Sequence, residues 1–206
     1  MQNYFSKVRV ETFSDGIFAI IITLLVLEIK VPEIENHNSS QELFQSLVNL
    51  LPKMMSWLVS FIIVCVIWVN HHLIFQQVKT VSHTLFWLNA NLLLWCAFIP
   101  FPSALLGDYV TNSAAQMFFG IVLSIMAFSF VLIRLYLIKN EILLNDNVNL
   151  DYYKTTIKQS ILFGPILYFI GALSSLIHPY LSFGIFFFIP FYFIFFYNTN
   201  VKKQQI

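Results

Sequence analysis

The sequence predicts an all-α, polytopic membrane protein built as one bundle of six transmembrane helices. Three observations carry that reading. Of 206 residues, 58% are hydrophobic and only 10% charged, against about 25% charged residues in soluble domains. Six stretches are long and apolar enough to cross a bilayer, which takes about 20 residues each. Lys and Arg fall almost entirely on one side of those stretches. Such a composition leaves too little polar surface to disperse a soluble fold, so the solvent is lipid; the 23 Phe residues agree. A net charge of +1 gives no footing for a nucleic-acid partner.

The predicted spans cover about 10–30, 51–73, 84–106, 114–138, 158–177 and 180–198. They form one unit, residues 1–206, with no internal repeat. The first apolar run contains Asp15 and lacks a small-residue cleavage pattern after it, so it reads as a span and not as a signal peptide. Pro52 leads in the second, and Gly164-Pro165 predicts a kink in the fifth. Only His178-Pro179 separates the last two, which predicts a tight helical hairpin. The aromatic FGIFFFIPFYFIFFY of the last span, poor in small residues, suits a lipid-facing position. Cys65 and Cys96 lie in apolar runs without CxxC or Cys/His spacing and read as free thiols.

With the N-terminus inside, the inner segments hold Lys7, Arg9, Lys79, Arg134, Lys139, Lys154, Lys158, Lys202 and Lys203, and the outer ones only Lys30 and Lys53. That bias predicts two cytoplasmic termini, as an even span count requires. The first outer loop then carries Glu28, Glu33, Glu35 and Glu42. These read either as a solvated acidic loop or, in a symmetric oligomer, as a ring concentrating cations.

The first span carries the functional signal. Its sequence from residue 9 is RVETFSDGIFAIIITLLVLEI. Charged groups in a membrane helix are costly and need a partner or a function. On a helical wheel Arg9, Phe13, Gly16, Ile20, Thr23, Leu24 and Leu27 share one stripe, while Glu11 and Asp15 face elsewhere, toward neighbouring helices. Asp15 lies about 9 Å along the helix from Arg9 at 1.5 Å per residue. Because the chain reverses at each span, the second helix brings Trp68, Asn70, His71 and His72 to the same level, and the third brings Trp87, Asn89 and Asn91. Polar groups in lipid must satisfy one another. The set Arg9, Ser14, Asp15, His71, His72, Asn89 and Asn91 therefore reads as a clasp fixing the first three helices. A pH-sensitive element is the alternative, since His titrates near neutrality. A metal pair from His71 and His72 is disfavoured, because adjacent residues diverge by about 100°.

Arg9, Phe13, Ser14 and Asp15 form an RxxxFSD run that resembles the signature of the transmembrane protein 175 family of potassium channels. The following GIFAIIITLLVLEI, the WVNHH of the second span and the FWLNANLLLWCAFIPFPSALLGDY of the third are similar to that family too. The resemblance is close over about residues 5–110 and weaker beyond. It implies a homotetramer around a central pore in the plasma or inner membrane of a prokaryote, lined by the first helix of each subunit. It places the narrowest ring at Ile20, with Leu24 and Leu27 on the next turns and Thr23 beside the constriction. For Thr23 the alternative is a hydrogen bond to a carbonyl one turn earlier.

No TVGYG-like filter is present, so selectivity would come from a hydrophobic constriction that charges a dehydration cost and gates by dewetting. A modest preference for potassium over sodium follows. The expected partners are further copies of the chain and the lipid bilayer; no cofactor is expected beyond permeant potassium ions. A small proton- or cation-coupled secondary transporter is the alternative, but Gly164-Pro165 has no broken counterpart in the first half. An enzyme is not expected, since HExxH, GxSxG and paired deep carboxylates are all missing.

Overall fold

In the computed structural model, residues 6–197 are described, and they are helical nearly throughout. The Lys202 and Lys203 of the charge argument lie outside the described residues, as does the end of the sixth predicted span.

Helix α1 (Lys7–Leu25) runs on through one 3-10 turn, Val26–Glu28. A short helix α2 (Ser40–Asn49) follows, then α3 (Leu51–Gln77), with Pro52 in its first turn. Proline is favoured there, where its missing N–H has no intrahelical acceptor to lose. The third span is made of α4 (His83–Phe98) and α5 (Pro100–Asp108). Pro100 and Pro102 cannot donate to the preceding turn, and the helix breaks at Ile99, whose N–H turns to Cys96 O at 3.1 Å. Helix α6 (Ser113–Lys139) is unbroken. The fifth span comprises α7 (Leu150–Ile161), a π turn over Leu162–Ile166 and α8 (Leu167–Ser174). The π turn contains Gly164-Pro165, where the sequence predicts a kink, and Ser124 Oγ donates to the Pro165 carbonyl at 2.8 Å. Helix α9 (Pro179–Tyr192) ends in a second π turn, Phe193–Tyr197.

Among the described residues five helical stretches are long and apolar enough to cross a membrane: Lys7–Glu28, Leu51–Gln77, His83–Asp108, Ser113–Lys139 and Tyr153–Ser174. Within the described residues the sixth apolar stretch, Pro179–Phe195, is shorter. The fifth span starts earlier than the sequence predicts, because α7 begins at Leu150 and not near 158. Its first turns are polar, and a hydropathy reading passes over them.

The bundle has two ends. At the near end, where α1 begins, the α3–α4 connection docks on the segment after α6: Lys79 N–H donates to Leu143 O at 2.7 Å and Asn145 N–H to Gln77 O at 2.8 Å. At the far end Lys53 pairs with Asp108 at 2.5 Å, and Ser60 Oγ donates to Ser103 Oγ at 2.8 Å, joining α3 to α5. The acidic loop with Glu33, Glu35 and Glu42 is exposed at this end.

Helix α6 is the central strut, with one face buried from end to end against α4, α5, α7, α8 and α9. Its Gly120 lets α9 come close: a Cβ there would stand 2.6 Å from the ring of Phe186. A Cβ on Gly171 of α8 would likewise stand 2.6 Å from that ring. This limits the lipid-facing reading of the last span to one side of the helix. Phe188 and Phe195 are exposed, but Phe186 is fully buried, held by small residues that sit on the neighbouring helices. Cys96 is buried and Cys65 half-buried, both as free thiols.

Candidate functional site: the two faces of the first helix

Helix α1 buries Val10, Ser14, Phe18, Ile21 and Leu25. The spacing of three and four residues puts them on one face, which packs on α3, α4 and α5. The remaining stripe is open. Ile20 is 58% exposed, Leu24 44% and Leu27 68%. Phe13 is exposed as well, and a Cβ on Gly16 would touch nothing within 4 Å. Thr23 Oγ1 lies 2.8 Å from Ile20 O and 3.1 Å from Ala19 O, so its hydroxyl donates to its own helix. Bonding of this kind satisfies a hydroxyl in an apolar setting.

A hydrogen-bonded chain crosses the buried face. Ser14 Oγ donates to Val10 O at 2.8 Å and accepts from Asn89 Nδ2 at 2.9 Å. Asn89 Oδ1 lies 2.7 Å from His71 Nε2. Since an amide oxygen only accepts, His71 carries its proton on Nε2 and donates. Ser14, Asn89 and His71 are all buried. The His71 ring stacks on Phe75 with centroids 4.3 Å apart and lies 5.5 Å from that of Phe18. One serine, one amide and one imidazole thus tie α1, α4 and α3 together, each donor finding an acceptor.

A second contact holds the same helix from the exposed side. Trp68 Nε1 donates to Asp15 Oδ1 at 2.9 Å. Trp68 stacks over His72, whose Nε2 accepts from Gln76 Nε2 at 2.8 Å. The two adjacent histidines therefore serve different partners, as their divergence on the helix requires. Among the described residues no three His, Cys, Asp or Glu side chains converge on a metal-sized site.

Two members of the expected clasp stand apart. Asn91 points away from α1 and donates to Ser129 Oγ at 2.8 Å, joining α4 to α6. It is two residues from Asn89 and hence about 200° round the helix. Arg9 is exposed, in line with its place on the open stripe. Glu11 pairs with Lys7 of its own helix at 3.7 Å.

In the sequence Arg134 counts only as an inner charge. It is buried in α6, and its guanidinium donates to Thr156 Oγ1 at 2.7 Å, to Tyr153 O at 3.2 Å and to Ser160 Oγ. It also lies over the Tyr153 ring, 4.8 Å from the centroid. The signal was available: an arginine inside an apolar run needs a partner, and Thr156 and Ser160 share one face of α7 at a spacing of four.

These features define a multi-pass, all-α membrane protein whose first helix is pinned to its own bundle by polar bonds and leaves an apolar stripe open. A family model described as the endosomal/lysosomal potassium channel TMEM175 matches residues 9–100. A potassium channel of Chamaesiphon minutus is 40% identical over 189 residues, covering 90% of this chain and 92% of that one. A potassium channel of a Chryseobacterium species is 34% identical over 185 residues, covering 88% and 89%. The crystal structure of a lysosomal potassium-selective channel TMEM175 homolog from Chamaesiphon minutus superposes with a TM-score of 0.80 at 36% identity, over 91% of this chain and 96% of that one. The chain belongs to the TMEM175 family, whose members are ion channels and not enzymes.

Proposed function

We propose that this chain is one subunit of a homotetrameric potassium channel, with the exposed stripe of α1 lining the pore. The observation that carries the reading is the contrast on that helix. Its Val10–Leu25 face is satisfied within the subunit, whereas Ile20, Leu24 and Leu27 are left open. Fourfold assembly around the stripe would turn one exposed side chain into a ring. The similar proteins named as potassium channels supply the ion.

In this reading Ile20 forms the narrowest ring, Leu24 and Leu27 continue it, and Thr23 flanks it. Four apolar side chains exclude water when they meet, and an ion must shed hydration to pass. Potassium holds its water less tightly than sodium, so the ring favours potassium modestly. Thr23 spends its proton on the helix carbonyls, which leaves its oxygen lone pairs as acceptors toward a cation. The Ser14–Asn89–His71 chain and the Trp68–Asp15 bond act as anchors about which α1 tilts on opening. Arg9, Phe13, Ser14 and Asp15 have their place in those anchors and on the open stripe beside them. The protein would sit in the plasma or inner membrane of a prokaryote with both termini in the cytoplasm, on the side of Lys7, Lys79, Lys139, Lys154 and Lys158.

The test is the Ile20→Asn variant in planar bilayers under a potassium-to-sodium gradient. The polar ring stays wet, so the reversal potential should move toward zero. An unchanged reversal potential would remove Ile20 from the pore.

A further inference from the structure

We infer that α2 is a membrane-surface helix, lying in the lipid interface at the far end of the bundle. The helix is cleanly two-sided. Leu43, Phe44, Leu47 and Val48 share one side and are all exposed, Phe44 by 68%. Gln41, Glu42, Gln45 and Asn49 take the other side. No residue of α2 is buried against the subunit, so its apolar side has no protein covering it among the described residues.

The level of the helix is fixed by its neighbours. Glu28 closes the first span and Leu51 opens the second, so α2 is strung between two points at the same membrane surface. Its junction with α3 has no linker, since Leu50 caps the end of α2 and the start of α3 together. Its start is also set. Ser39 Oγ accepts from Glu42 N–H at 3.2 Å, and Glu42 Oε2 accepts from Asn36 N–H at 3.0 Å. The apolar side is continuous with Leu51, Met54 and Leu58 of α3, which are exposed on a membrane-crossing helix. What covers that surface therefore extends onto α2.

Charge says which property of the lipid is read. Helix α2 contains no Lys or Arg, and its one formal charge is Glu42. Surface helices that seek anionic lipid carry cations on the polar face. This one enters by apolar burial alone, and its seating is indifferent to lipid charge and to salt.

The experiment places spin labels in the full chain, with Cys65→Ser as background because Cys96 is buried. Phe44→Cys and Gln45→Cys are each labelled and reconstituted in phosphatidylcholine vesicles, with and without phosphatidylglycerol. Both positions lie on the exposed surface, so neither label displaces core. The expected result is a severalfold higher oxygen-to-nickel accessibility ratio at 44 than at 45, the same in both lipids and at high salt. Equal nickel access at both positions would make α2 a solvated helix. A label at 44 closed to both reagents would put that face on protein, such as a second copy of the chain. Either outcome overturns the inference, and neither depends on which ion the protein conducts.

Discussion

Asn89 and Ser14 meet at 2.9 Å in a fully buried position, the amide of α4 donating to the hydroxyl of α1. Each also has a second partner, so the pair is the middle of a chain that runs from Val10 O to the His71 ring.

Asn89→Ala therefore strands two groups at once, the Nε2–H of His71 and one lone pair of Ser14. A buried donor left unmade costs about 1–3 kcal/mol. The variant is expected to unfold at a lower temperature in detergent, and a thermal melt measures this. In a double-mutant cycle with Ser14→Ala the two changes should be less than additive, with a coupling near the ~0.6 kcal/mol average for such bonds in membranes.

Trp68→Phe keeps an aromatic ring over His72 but removes the donor to Asp15. The bond is exposed in the single subunit, so folding should be little affected. The near end of α1 loses an anchor instead. Single-channel recording should show an altered open probability at an unchanged reversal potential. A wild-type open probability would detach this bond from gating.

Gly120→Val puts a branched side chain where the Phe186 ring already stands, at 2.6 Å from the first added carbon. Ala172 Cβ closes the other side at 2.8 Å. Overpacking of this kind costs about 1–3 kcal/mol. A lowered melting temperature is expected, and partial recovery on adding Phe186→Leu would trace the loss to that contact.

Arg134→Ala removes three hydrogen bonds that hold the polar helix α7 against α6. Bonds from a charged group contribute about 1.5–3 kcal/mol, though relaxation of the freed hydroxyls returns part of it. Amide exchange over residues 150–161 should rise while that of α1 stays at its wild-type rate. Arg134→Lys should recover only part of the protection, because a lysine has a single nitrogen where the guanidinium spans several acceptors.

Much of the fold could be read from the chain because lipid imposes a simple rule: apolar length makes a span. The first four spans lie within a few residues of their predicted limits, and a π turn falls at Gly164-Pro165. The clasp was legible for the same reason, since Ser14, His71 and Asn89 are polar at a depth where polar groups must pair. Helix α2 is not among the elements the sequence predicts, although Ser39 and Glu42 spell a capping box ahead of an apolar run. A helix of ten residues gives too short a period to stand out beside membrane spans.

By itself the sequence determined the membrane class, the order of the spans and the wheel position of Ile20, Leu24 and Leu27, because hydropathy and helical periodicity are local properties. Only the tertiary structure decided that Asn89 turns to Ser14 while Asn91 turns to Ser129, that Arg134 meets Thr156 and Ser160, and that Phe186 belongs to the core. Those outcomes depend on which helices are neighbours. In a membrane, where every span is apolar, neighbours are chosen by close packing at residues such as Gly120 and Gly171 and by buried hydrogen bonds, and neither is visible until the helices are placed side by side.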